Sequence, residues 1–212
     1  MLLYADSADI DQIRKMEKLG ILGGITTNPV IVAREKRPVY QVIESLCSCF
    51  PQYPIFAQVN APSVEEMVSQ AFVLSRISPA VVVKIPACEK GMEAISILKA
   101  DQSFSAEICA TTILTAAQAL FSSLAGADYV APYVGDISAL GYDSMAMVRD
   151  IVGCLKDSGT MVLAAAAEKA QDMVEIAKAG ADILTVSPNA ALSALQKPKP
   201  ITQWYLDLFA GR

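Results

Sequence analysis

The lysine in "VVVKIP" (Val81–Pro86) has the plainest chemical potential in this chain of 212 residues. Lys84 lies inside an apolar run, flanked by Val83 and Ile85, where a charged group is costly to bury. Desolvation disfavours the ammonium form, and a neutral amine is the nucleophile that attacks a carbonyl to give a Schiff base. Histidine is absent from the whole sequence. That removes Ser-His-Asp and Cys-His catalysis, and the usual zinc and non-haem iron ligand sets. Acid–base work then falls to carboxylates, lysine, tyrosine or ordered water. Other polar residues close short apolar runs: Asp6, Thr26 with Thr27 and Asn28, Gln58 with Asn60, Thr111 with Thr112, Tyr133, and Ser187. Singly, each has an ordinary structural use. Asp6 or Ser7 can cap a following helix, Asn28 before Pro29 suits a turn, and Tyr133 suits a rim. Taken together they would surround Lys84 with carboxylate, amide and hydroxyl groups.

The elements that would position them repeat along the chain. Eight short apolar runs are each followed by a helix-like stretch: Leu2–Asp6, Gly23–Pro29, Ile55–Val59, Val81–Pro86, Ser105–Thr111, Tyr129–Val134, Met161–Ala166 and Ile183–Pro188. Between them, patterns such as Val64, Met67, Val68, Ala71 and Phe72 have helical spacing. Gly126 and Gly180, in "LAGAD" and "KAGAD", read as helix C-terminal caps. Strands apolar on both faces, alternating with helices, imply a parallel sheet. Eight such units predict a single closed (β/α)8 TIM barrel over residues 1–196, with an additional C-terminal helix in 197–212. An open doubly wound sheet is the structural rival, but neither GxGxxG nor GxxxxGK[ST] follows the first strand. In a barrel of this type the chemistry sits at the C-terminal ends of the strands, where the polar residues above fall.

Composition narrows the partners. Hydrophobic residues make up 53% and charged residues 18%, which favours a well-buried domain and leaves apolar surface that oligomer formation could cover. The formal net charge is −5, and the most basic stretch, "REKR" at Arg34–Arg37, reads as a solvated loop, so nucleic acid is not an expected partner. No uninterrupted apolar segment approaches the ~20 residues of a membrane helix, and no signal peptide is legible. Five cysteines without a CxxC pair suit reduced thiols and a cytoplasmic setting.

The sequence resembles the transaldolase family, and within it the small subfamily containing fructose-6-phosphate aldolase. The resemblance covers nearly the whole chain and rests on "LYADSAD", "GITTNPVI", "FAQV", "VVKIP", "ATTILTAAQAL", "LAGADYVAPYV" and "DLFAGR". It implies a (β/α)8 barrel without metal or organic cofactor, a Schiff base between Lys84 and a ketose, and small-molecule sugar substrates. It also implies a homo-oligomer, pentameric or decameric, whose C-terminal helix packs on a neighbouring subunit. Asp6 would handle protons at the cleaved bond, and Thr26 and Asn28 would bind the dihydroxyacetone part. Gln58, Thr111 and Tyr133 would hold the water that relays protons. Members that transfer the three-carbon unit usually have glutamate and phenylalanine where this chain has Gln58 and Tyr133, whereas true aldolases have glutamine and tyrosine. The resemblance thus implies an aldolase, with a transaldolase as the alternative.

The departures lie at the far end of the substrate. Asp136 occupies the place of a phosphate-binding arginine, Ala166 that of a serine, and Glu168 that of a lysine, with Lys169 one position away. A lost charge-assisted contact costs roughly 1.5–3 kcal/mol before repulsion is counted. The expected substrate therefore lacks a terminal phosphate or carries its substituent differently. Two further readings compete: another lysine-dependent barrel aldolase, of the deoxyribose-phosphate type, and a non-catalytic sugar-binding barrel. "GITTNP" and the lysine on the fourth strand count against the first, the intact polar set against the second.

Overall fold

The structure, a computed structural model, describes residues 1–165, 170–196 and 199–211. Eight parallel strands close in sequence order: β1 (Leu2–Asp6), β2 (Gly24–Thr26), β3 (Ile55–Gln58), β4 (Val81–Pro86), β5 (Ile108–Ile113), β6 (Tyr129–Pro132), β7 (Met161–Ala164) and β8 (Ile183–Val186), with β8 pairing back onto β1. The (β/α)8 barrel expected from the alternation of apolar runs and helices is the fold that forms.

Side chains alternate across each strand with a period of two. On β4, Val81, Val83 and Ile85 belong to the layer shared with the surrounding helices, whereas Val82 belongs to the barrel interior. Lys84 falls on the face of Val82 and so points into the barrel. This accounts for an amine in a strand that is otherwise buried on both sides. The interior below it is filled by Tyr4, Phe56, Cys109, Tyr129 and Leu163. The ring of Phe56 packs edge-on between those of Tyr4, at 5.7 Å, and Tyr129, at 5.1 Å. These three rings plug the barrel at the N-terminal ends of its strands. Gly24 makes room for the plug, since a Cβ there would lie 2.6 Å from the Tyr4 ring. Burial pushes the Cys109 thiol up to about 12 and the Tyr4 phenol up to about 12.

The helices outside the barrel include α1 (Ile10–Lys18), α2 (Pro29–Arg34), α3 (Val39–Cys49), α4 (Val64–Ser75), α5 (Glu89–Ala100) and α6 (Ala116–Leu124). They continue with α7 (Val134–Ala139), α8 (Ser144–Cys154), α9 (Ala170–Ala179), α10 (Pro188–Gln196) and α11 (Lys199–Phe209). α5 is pressed unusually close to the strand that carries Lys84. A Cβ on Gly91 would meet the Pro86 carbonyl oxygen at 1.8 Å, so only glycine permits this packing.

Two short helices depart from the sequence reading. α2 begins where a turn was expected: Asn28 caps it by accepting from the Ile31 N–H at 2.9 Å, and Pro29 occupies its first turn, a pairing that starts helices. Arg34 is therefore helical rather than part of a solvated loop. α7 begins directly after Tyr133 and contains Asp136. The fifth strand runs later than expected, through Thr111 and Thr112 to Ile113, because the chain bulges between Ala110 and Ile113.

Candidate active site

The polar residues of the strand ends gather at one mouth of the barrel. Lys84 is buried, with 4% of its surface exposed, and its Nζ donates to the Thr27 carbonyl at 3.0 Å. Thr27 is fixed in turn by its own hydroxyl, which donates to the Phe56 carbonyl at 2.8 Å. No carboxylate among the described residues forms an ion pair with Lys84. Its neighbours in register are Gln58 on β3 and Cys109 on β5.

On one side of the lysine is a short chain of hydroxyls. Thr26 Oγ1 donates to Asp6 Oδ1 at 2.6 Å and lies 2.6 Å from Thr185 Oγ1. Having given its proton to the carboxylate, Thr26 accepts from Thr185. Asp6 is thereby held on β1 opposite Thr26 of β2, its register partner. On the other side, Thr111 Oγ1 donates to Tyr133 Oη at 3.1 Å, which leaves the phenolic proton free to face the mouth. Gln58 Oε1 is buried and has no partner among the described residues, an acceptor left open for a hydroxyl or a water.

A cavity of about 600 Å³ lies over this floor, bordered by Asp6, Asn28, Gln58, Tyr133, Thr185 and Ser187, and on its α2 side by Val30, Ile31 and Arg34. Of the residues singled out from sequence, Asp6, Asn28, Gln58 and Tyr133 border this cavity, Thr26 and Thr111 are hydrogen-bonded to Asp6 and Tyr133, and Lys84 is the register neighbour of Gln58. Asp136 is not brought into the cavity. It is exposed and borders a separate hollow on the far side of Tyr133, with Thr112 and Leu114. Ala166 and Glu168 lie outside the described residues.

The match with known proteins extends over this whole arrangement. A family model described as "Transaldolase/Fructose-6-phosphate aldolase" matches residues 3–207. The chain belongs to that family. Its curated relatives include a "Probable transaldolase" of Dehalococcoides mccartyi, 37% identical over 202 residues that cover 93% of this chain and 92% of the relative. Another, from Desulforudis audaxviator, is 39% identical over 88% of this chain and 86% of its own. A third, from Caulobacter vibrioides, is 35% identical over 99% and 94%. As a member of the transaldolase/fructose-6-phosphate aldolase family, the protein is an enzyme of the aldolase or transaldolase kind.

Thr185 and Arg34 were absent from the polar set read at the strand ends, and Thr27 and Thr112 were in it without an assigned role. Thr27 contributes its backbone carbonyl, which side-chain pattern does not reveal. Thr185 was legible, since alternation from Ile183 to Ser187 places it inward. Arg34 follows only once Asn28–Pro29 is recognised as a helix start. Thr112 has φ of 59°, the left-handed region, rare for a β-branched residue. Its hydroxyl donates to the Thr111 carbonyl at 2.6 Å, pinning the backbone that presents the Thr111 side chain.

Proposed function

We propose that this enzyme is a Schiff-base aldolase that cleaves or forms the C3–C4 bond of a ketose with a dihydroxyacetone-type donor. The observation that carries the reading is Lys84: a buried amine without a carboxylate partner, oriented by a neutral carbonyl beneath a polar cavity. Its nitrogen adds to the C2 carbonyl and water leaves, forming the imine. As the C3–C4 bond breaks, its electron pair moves into the imine and Asp6 takes the proton from the C4 hydroxyl. The aldehyde departs. The resulting enamine takes a proton at C3 from a water held by Gln58, Thr111 and Tyr133, and hydrolysis frees dihydroxyacetone and the lysine. Thr26 fixes Asp6, and Asn28, whose Oδ1 is committed to the helix cap, offers its amide hydrogens to the donor's hydroxyls.

The pairing of Gln58 with Tyr133 supports the aldolase, because it supplies the donor that protonates the enamine. Asp136, standing where the family resemblance places a phosphate-binding arginine, supports a substrate whose terminal substituent is absent or differently recognised. The second reading is a transaldolase that passes the enamine to an acceptor aldehyde, including one from an unusual sugar. The names of the relatives favour it. We further infer a homo-oligomer in which α11 packs on a neighbour, supported by the exposure of Ile201, Trp204, Leu206, Leu208 and Phe209, each more than half open to solvent.

Borohydride reduction in the presence of dihydroxyacetone, read by intact mass and peptide mapping, tests the mechanism. The expected result is one adduct, on Lys84, that disappears in Lys84→Met. A folded protein without any adduct would sink it. Free dihydroxyacetone released from a ketose without an acceptor separates aldolase from transaldolase.

A further inference from the structure

The mouth of the barrel holds a cation that the mechanism does not use. Arg34 closes α2, and its position follows from how that helix is anchored. Asn28 caps the first turn, Ile31 and Val32 are buried, and Arg34 lies one turn beyond Val30 and Ile31, at i+4 and i+3 from them. Val30, Ile31 and Arg34 border the cavity. The guanidinium makes no ion pair or hydrogen bond among the described residues, whereas Arg37 in the same basic run donates to Ser45 Oγ at 3.2 Å. Among the described residues, the only other ionisable groups bordering the cavity are Tyr133 and Asp6, and Asp6 is engaged by Thr26. One rim of the cavity thus carries a free, planar, five-donor cation of the kind that grips phosphate or carboxylate in a fork. Along α2, Arg34 stands about 9 Å from Asn28, at the right remove for the end of a substrate and not its reacting carbons.

We propose that Arg34 is a specificity residue for an anionic group, a phosphate monoester or a carboxylate, on the end of the sugar remote from the bond that breaks. The group lies on the α2 side of the mouth, opposite Asp136 and α7. The proposal rests on the aldolase reading for the direction in which the sugar lies. It gives that reading a substrate class: a ketose with an anionic tail, seated at a new place.

Calorimetric titration of the intact protein with inorganic phosphate and with glucuronate, at low ionic strength, tests it without turnover. One of the two anions is expected to bind the native protein and to bind Arg34→Gln at least about tenfold more weakly. Arg34→Lys should recover part of the loss, and Arg37→Gln should show none. Tighter binding of phosphate identifies a phosphate monoester, and tighter binding of glucuronate a carboxylate. Absence of binding to the native protein, or equal binding to Arg34→Gln, overturns the proposal. The borohydride adduct is read separately. An adduct without Arg34-dependent binding sinks this inference alone, and Arg34-dependent binding without an adduct sinks the catalytic reading alone.

Discussion

The hydrogen bond between Thr111 and Tyr133 divides the labour among single residues. Because Thr111 donates, the phenol keeps its proton for the mouth, and a phenylalanine there would leave the enamine without that donor. Tyr133→Phe is expected to slow release of free dihydroxyacetone by about 10²-fold or more, the ordinary worth of a positioned acid, while the borohydride adduct still forms. Adding an acceptor aldehyde should restore turnover, and assays with and without it check this. Below the lysine, Cys109 shows what burial does to a group with no chemical task. Its thiol stays protonated in the fold until about 12, whereas the unfolded thiol ionises near 9.0. The stability this difference reflects is whole below pH 9 and is lost as the pH rises toward 12, at about 1.4 kcal/mol per pH unit for one proton. Tyr4, raised from 10.0 to about 12 by burial, adds to the loss from one unit higher. Urea unfolding at pH 8 and pH 10 should show the decline, and Cys109→Ala should flatten it.

At the scale of elements, legibility followed the physical signal. The strands could be read because burial on both faces makes them continuous apolar runs, and β1 and β4 ended where the runs ended. Lys84 was conspicuous for the same reason. α2 and α7 were not read: six-residue helices give too few turns for a periodic face, and their residues serve the mouth instead of the core. The bulge in β5 left no trace either, since it depends on Thr112 tolerating a left-handed backbone. The site was accordingly legible where strands carry it and obscure where a short helix after a strand does, as Arg34 on α2 shows. The tight seat of α5 was likewise hidden in an ordinary-looking glycine. Gly91→Ala puts a methyl group against the Pro86 carbonyl and should cost about 1–3 kcal/mol or more, measured by urea unfolding. Activity should fall with it, because Pro86 lies two residues beyond Lys84 on the displaced strand.

For the molecule as a whole, the exposed face of α11 and the plugged barrel matter most. Trp204, Tyr205 and Phe209 contact one another along α11, with ring centroids 4.8 and 5.8 Å apart, and form an apolar ridge on the surface. A chain ending at residue 196 should be smaller in light scattering than the full chain, by at least a factor of two in mass. Equal masses per chain count would remove α11 from the assembly. The rings of Tyr4, Phe56 and Tyr129 have a different consequence. A barrel stoppered at one end has a single doorway, so sugar, aldehyde and water all pass the same threshold to reach the lysine. While a ketose fills that doorway, bulk solvent is kept waiting outside. In the aldolase mechanism proposed above, the aldehyde would leave before the water that frees the ketone enters, a queue set by the architecture itself.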